Sequence, residues 1–418
     1  MSLEPAATVA VAAAATVGVL FRPLRLPEYV FACAGALALV AAGLLPPNDA
    51  LAAVLEGTDV YLFLVGMMLL SEIARQEGLF DWAAIHAVRA ARGSPRRLFA
   101  LVYLVGTIVT IFLSNDATAV VLTPAVYAAT KAAAVEPLPY LFVCAFIANA
   151  ASFVLPISNP ANIVMFGARM PHLPQWLAVF ALPSVVSILV TYLVLRIAQR
   201  RELAGKIELA PDERNLSASG RFVGAGLALA ALVLVLASSR GWDLGPPTFA
   251  SGVIVTIVAL VIARSSPIGV LKHVSWGVLP LVAGLFVLVE GLAHIGAIAA
   301  LAAVLREAAA AAPRETAVAG GLAAGFLANI VNNLPLGLIA ASASRLAETP
   351  LHVAAGLLIG VDLGPNLSVT GSLATLLWLI AIRREGENVS GLRFLKLGAL
   401  VMTPALVLAL LALATLSP

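Results

Sequence analysis

Residues 112–124 read FLSNDATAVVLTP, and this stretch decides the fold. It sets Ser114, Asn115, Asp116 and Thr118 inside an apolar run, Leu98 to Ala129, that is too long for one membrane span and is interrupted at its middle. Unsatisfied polar groups in hydrocarbon are costly, so such a sequence persists only where these groups face protein or a water-filled cavity. The run is predicted to form a re-entrant helical hairpin with Ser114, Asn115 and Asp116 at its tip. A near twin, FLANIVNNLP, occupies residues 326–335 and carries Asn332 and Asn333.

The rest of the chain fits a bilayer. Of its 418 residues, 61% are hydrophobic and only 11% charged, with a mean hydropathy of +1.02, which makes it an all-α polytopic membrane protein. At roughly 20 apolar residues per span, residues 6–22, 27–45 and 57–78 read as three helices. The first lacks the basic start of a cleaved leader and is expected to be retained. The run from Leu138 to Gly167 is broken by Pro156-Ile-Ser-Asn-Pro160, with Ser158, Asn159 and Asn162 in or beside the break, and predicts an unwound helix. Gln175 to Arg196 closes this half.

Adding 218 carries Gly66 onto Gly284, Glu72 onto Glu290, Gly78 onto Gly296 and Asn115 onto Asn333. An offset of 213 lays Ile147–Met165 over Gly360–Trp378 and Asn149 over Asp362. The expected organisation is a first repeat at 1–198, a polar cytoplasmic linker at 199–221 and a second repeat at 222–418. Each repeat would hold about five transmembrane helices, one re-entrant hairpin and one broken helix. An odd number of crossings makes the second repeat inverted. On that arrangement 20 of the 25 Lys and Arg fall on one face; the positive-inside rule makes it cytoplasmic and puts both termini outside the cell membrane.

Inverted repeats with broken helices belong to secondary transporters, whose substrate sits where tips and breaks converge. The candidate binding groups are Ser114, Asn115, Thr118, Ser158, Asn159, Asn162, Asn332, Asn333, Asn366, Thr370 and Ser372. Some of them must also cap the broken helix ends. The set holds many neutral donors and acceptors and no Lys or Arg, a lining that suits a neutral polyhydroxy solute or a small cation better than a multiply charged anion. Acidic groups at membrane depth are proton-coupling candidates: Asp116 at the hairpin tip first, Asp362 second, then Glu72 and Glu290. The symmetry of the last two equally fits carboxylates that accept hydrogen bonds from a neighbouring hairpin.

Other classes find little support. The basic residues form no nucleic-acid face, there is no phosphate-binding GxxxxGK[ST] loop, and no GxSxG or HExxH pattern marks an enzyme. Asp116 and Asp362 are the only conceivable catalytic dyad. Cys33 and Cys144 are far apart and the five histidines have no ligand spacing, so no metal or other cofactor is expected.

With FLSNDATAVVLTP, NIVNNLP, LPISNPANIV and GPNLSVTGSLATLLW in view, the chain resembles the ArsB family of arsenite and antimonite efflux permeases, within the ion transporter superfamily. The likeness runs over nearly the whole length. It implies export of trivalent arsenite or antimonite by proton antiport across the inner membrane, with a soluble ATPase partner in some bacteria. Dicarboxylate and sodium-linked members of the superfamily look more like SNT in both hairpins. Here Asp116 stands in place of the first Thr and Asn332-Asn333-Leu334 replaces the second motif, which speaks against a sodium site. A sodium/proton antiporter or a sodium-coupled organic-anion transporter is the alternative within the superfamily, and a channel for small neutral solutes comes after it.

Overall fold

Proline in the first turn opens many of the helices, where its missing N–H and fixed φ are tolerated, and short polar breaks close them. The computed structural model describes residues 3–207 and 215–416. Its first half runs α1 (Leu3–Phe21), α2 (Glu28–Ala41), α3 (Pro47–Glu56), α4 (Thr58–Gln76), α5 (Leu79–Ala90), α6 (Pro95–Phe112), α7 (Thr123–Ala132), α8 (Leu138–Ala150), α9 (Pro160–Phe166) and α10 (Leu173–Ala198). The second runs α11 (Ala218–Arg240), α12 (Gly245–Ala263), α13 (Pro267–His273), α14 (Val278–His294), α15 (Ala297–Ala311), α16 (Pro313–Val331), α17 (Asn333–Ala347), α18 (Leu351–Leu363), α19 (Leu373–Arg384) and α20 (Gly391–Leu416). No strand occurs among the described residues.

The expected breaks are present. The run 98–129 folds back at Ser114 between α6 and α7, and residues 151–159 interrupt α8 and α9. The halves present the same order of elements, and packing exchanges between them: α2 lies on α14, and α12 on α4. Left-handed turns also recur, at Gly78 (φ 71°) and Gly296 (φ 79°). Helix α3 departs from expectation, since residues 47–56 read as loop; with α4 it forms a pair bent by 45°. Length and apolarity alone qualify seven described helices as spans, or eight if this pair counts as one. Shorter apolar α2 and α8, of 14 and 13 residues, do not reach that length unaided. Helix α11 begins at Ala218, inside the stretch expected to be linker, and the middle of that linker, 208–214, lies outside the described residues.

Two packed sets result. One joins α1 to α4 with α11 to α14; the other joins α6 to α10 with α16 to α20. Within a bilayer helices gain little from mutual apolarity, and small residues that allow close backbone approach hold them together. The second set uses this at α16 and α18, where Gly321 and Gly325 face Gly356, Gly360 and Gly364. A Cβ on Gly360 would collide with the backbone of α16 at Gly321 and Gly325. Gly360→Leu is therefore expected to lower the thermal transition of the detergent-solubilised protein, as overpacking costs about 1–3 kcal/mol. Gly391→Leu, which meets open space, should leave that transition unchanged.

Candidate functional site

Four helix starts converge on one cavity. Polar side chains cap them because the freed N–H groups have no water to turn to. At the first hairpin Asn115 Oδ1 accepts from the Asp116 N–H at 2.9 Å and Ser114 Oγ from the Ala117 N–H at 3.3 Å. At α9 Asn159 Oδ1 accepts from Ala161 N–H at 3.0 Å, at α17 Asn332 Oδ1 from Leu334 N–H at 3.3 Å, and at α19 Ser372 Oγ from Thr375 N–H at 3.1 Å. Both hairpin tips need unusual backbone, with φ of 149° at Ser114 and 77° at Asn332, a region that L-residues rarely adopt. Helix starts carry positive partial charge, and Asp116 is the one carboxyl group lining the cavity among them. The opposite wall is apolar: Val60 and Leu64 from α4, Val278 and Val282 from α14.

The candidate residues divide into lining and support. Asn115, Asp116, Asn159, Asn333 and Ser372 line the cavity. Ser114 faces the approach to it, and Asn332 faces a neighbouring crevice. The others brace the breaks. Asp362, fully buried on α18, accepts from Ser152 Oγ at 2.8 Å and from Asn159 Nδ2 at 2.9 Å, and so ties the first broken helix to the second. Asn366 donates to the Phe146 carbonyl at 3.0 Å and accepts from Asn149 at 3.0 Å; Asn162 donates to the carbonyls of Ser152 and Leu155. Ser158 Oγ donates to the Ile111 carbonyl at 3.0 Å, and Thr370 Oγ1 to the Asn329 carbonyl at 3.2 Å. Each thus fastens a hairpin's first arm to its broken helix. Thr118 shares a 2.8 Å hydrogen bond with Thr110 across the first hairpin.

Glu72 and Glu290 stand apart from this cavity. Glu72 accepts from Arg75 Nη2 at 2.6 Å, Arg75 Nε at 2.8 Å and Gln76 at 2.8 Å. Glu290 lies among Asp49, Glu56 and His294. The sequence pattern gives no prominence to Asn329, which donates to the carbonyls of Gly325 and Gly364 and accepts from Ser368. Its signal is proximity to the break: in FLANIVNNLP it lies in the last turn of α16, three residues before the tip at Asn332. Neither Cys33, whose thiol donates to the Pro280 carbonyl at 3.3 Å, nor buried Cys144 lines the cavity.

The cavity opens to one side. A vestibule with about 430 Å³ of free volume reaches from Ser114, Asp116 and Pro160 past Val278 to a mouth bearing Glu72, Arg75, His273, Arg384 and Glu385. At the other end of α4, Arg345 of α17 pairs with Glu56 of α3 at 2.6 Å and joins the two helix sets. The hollow beside it, lined by Phe166, Arg169, Arg345 and Glu348, shares no residue with the cavity.

Residues 16–365 match the CitMHS family, described as citrate transporter. The chain belongs to that family. Among its relatives, the arsenical pump membrane proteins of Yersinia enterocolitica and Escherichia coli K12 are each 28% identical over 364 residues, covering 84% of both chains. The resemblance read from the hairpin motifs is borne out. The crystal structure of the YdaH transporter of Alcanivorax borkumensis, described as having an unusual topology, aligns with a TM-score of 0.55 at 16% identity over 88% of this chain and 86% of that one. At that identity the likeness concerns the fold alone.

Asp362→Ala leaves the buried Asn159 Nδ2 without its acceptor, at about 1–3 kcal/mol, and leaves Ser152 Oγ with only the Asn149 carbonyl. Asp116 accepts no side-chain hydrogen bond among the described residues. Thermal unfolding in detergent should therefore fall clearly for Asp362→Ala and little for Asp116→Asn.

Proposed function

We propose that this member of the citrate-transporter family exports trivalent arsenic or antimony, as arsenite or antimonite, across the cell's inner membrane in exchange for protons. The observation that carries the reading is a surplus of acceptors. Asn333 Oδ1 is buried without a partner, and the half-buried Asp116 carboxylate, which lines the same cavity, accepts no hydrogen bond from another side chain among the described residues. Unmatched acceptors call for a ligand that brings hydroxyl donors, since each buried group left unpaired is costly. Arsenous acid at neutral pH is an uncharged trihydroxide and supplies them. Citrate brings three carboxylates, which add acceptors and set negative charge against Asp116, with no Lys or Arg lining the cavity in compensation. The relatives named arsenical pumps support the same choice.

The mechanism joins that chemistry to the two helix sets. The matching order of elements supports inverted repeats at 1–198 and 222–418, and alternating access follows if the hairpin-bearing set slides along the apolar wall of α4 and α14. The vestibule mouth carries Arg75 and Arg384, two of the basic residues that the positive-inside count assigns to the cytoplasm, so it reads as the cytoplasmic side. A proton arriving from outside neutralises Asp116, metalloid leaves outward, and loss of that proton inward restores the acceptor for the next substrate. This is transport driven by a gradient, with no catalytic step; a soluble ATPase is an optional partner that the arsenical-pump likeness implies. The family's description as citrate transporter favours a second reading, sodium-coupled organic-anion transport.

Inverted vesicles or proteoliposomes with an imposed pH gradient, acid inside, decide between them. Arsenite should accumulate without sodium and collapse with a protonophore. Strict dependence on sodium, or competition by citrate, would favour the second reading. Asp116→Asn should abolish uphill accumulation, and persistence of it would remove Asp116 as carrier. Asn333→Leu, which deletes the orphan acceptor, should weaken arsenite binding about ten-fold, read as a rise in KM, in keeping with the cost of one unmade hydrogen bond.

A further inference from the structure

The first turn of α2 carries an acid that the exchange described above leaves unused. Glu28 forms an ion pair with Arg22 from the end of α1, and its side chain is only 15% exposed. It lies in a narrow crevice whose remaining lining is Val19, Leu281 and Leu285 on one side and Asn332, Leu334, Pro335, Leu373 and Leu376 on the other. The crevice therefore ends at the tip of the second hairpin, and it borders the substrate cavity, which Leu334 and Leu373 also line. Glu28 is the one titratable or charged side chain among the described residues that line it.

Its position relative to the vestibule follows from α2 and α14, which run side by side: Gly277 faces Tyr29, Gly284 faces Ala32 and Gly291 faces Leu39. Glu28 is thus level with the start of α14, where Val274 and Val278 border the vestibule. Two approaches reach the site from the same side, one along each hairpin. They differ greatly in width. The vestibule has about 430 Å³ of free volume and the crevice about 10 Å³, room for one water and no more. A trihydroxide passes the first only; a proton on a single water passes either.

We propose that Glu28 is the proton's way station: substrate enters through the vestibule, and the proton leaves Asp116 through the Glu28 crevice. The inference rests on the proton exchange proposed above. Protonated Asp116 gives its proton to a water at Leu334 and Leu373, that water passes one on to the Glu28 carboxylate, and protonated Glu28 releases it to solvent beside Arg22. No bond other than O–H is made or broken, and Arg22 serves as counter-ion while Glu28 is empty. Separate routes let a substrate occupy the vestibule while the proton departs.

The test uses the full-length protein in liposomes with a trapped pH dye, measuring arsenite-evoked proton movement and, separately, exchange of labelled arsenite for unlabelled arsenite. Glu28→Gln should reduce the proton movement about ten-fold or more, the scale of a lost proton-transfer group, while self-exchange stays near that of the parent; Glu28→Asp should restore part of the proton movement. Proton movement unchanged in Glu28→Gln, or self-exchange falling in step with it, overturns the relay. A parent protein without arsenite-evoked proton movement overturns the proposed exchange itself, and the relay with it.

Discussion

Every backbone group freed by a broken helix inside a bilayer must find a partner within the protein, and that requirement shapes this molecule. Two hairpins and two interrupted helices release N–H and carbonyl groups near one another, at the depth where water is scarce. The chain answers with short amides and hydroxyls that reach their own neighbouring backbone. Asn159, Asn332 and Ser372 cap the helix starts. Asn162, Asn366 and Asn329 take up the stray carbonyls. Only after this need is met does a remainder appear, and the remainder is the proposed binding surface.

That ordering explains what the sequence reveals and what it hides. The breaks were legible because polar residues and prolines inside apolar runs have few other uses, and the hairpin at Ser114 and the interruption after Ala150 stand where the pattern puts them. The division of labour was not legible. Asn162 and Asn159 lie three residues apart in the same motif, yet one faces the cavity and the other grips carbonyls, a difference set by the turn of a short helix. Asp362 reads as a proton-coupling candidate by its type and depth, and the sequence gives no sign that it also accepts two hydrogen bonds that tie the broken helices together. Helix α3 escaped notice because its ten residues are too few and too mixed to stand out from a loop.

The proposed preference for an arsenical over citrate turns on the charge of one position, Asp116. A hairpin tip with Thr offers a donor and a weak acceptor; one with Asp116 offers a charge that repels carboxylates. On the reading proposed above, Asp at that position favours a ligand that delivers hydroxyl protons over one that delivers negative charge.

Arg345 and Glu56 join the hairpin-bearing set to its neighbour on the side away from the vestibule, and both remain partly open to solvent. An ion pair of that kind contributes about 0.2–1 kcal/mol, a bias in population of roughly 1.4- to 5-fold. On the proposed exchange, this pair adds only a weak restraint to the far side, one that thermal motion overcomes. Because salt screens such a pair, the medium bathing that face becomes a dial on the resting orientation of the transporter, independent of anything bound at its centre.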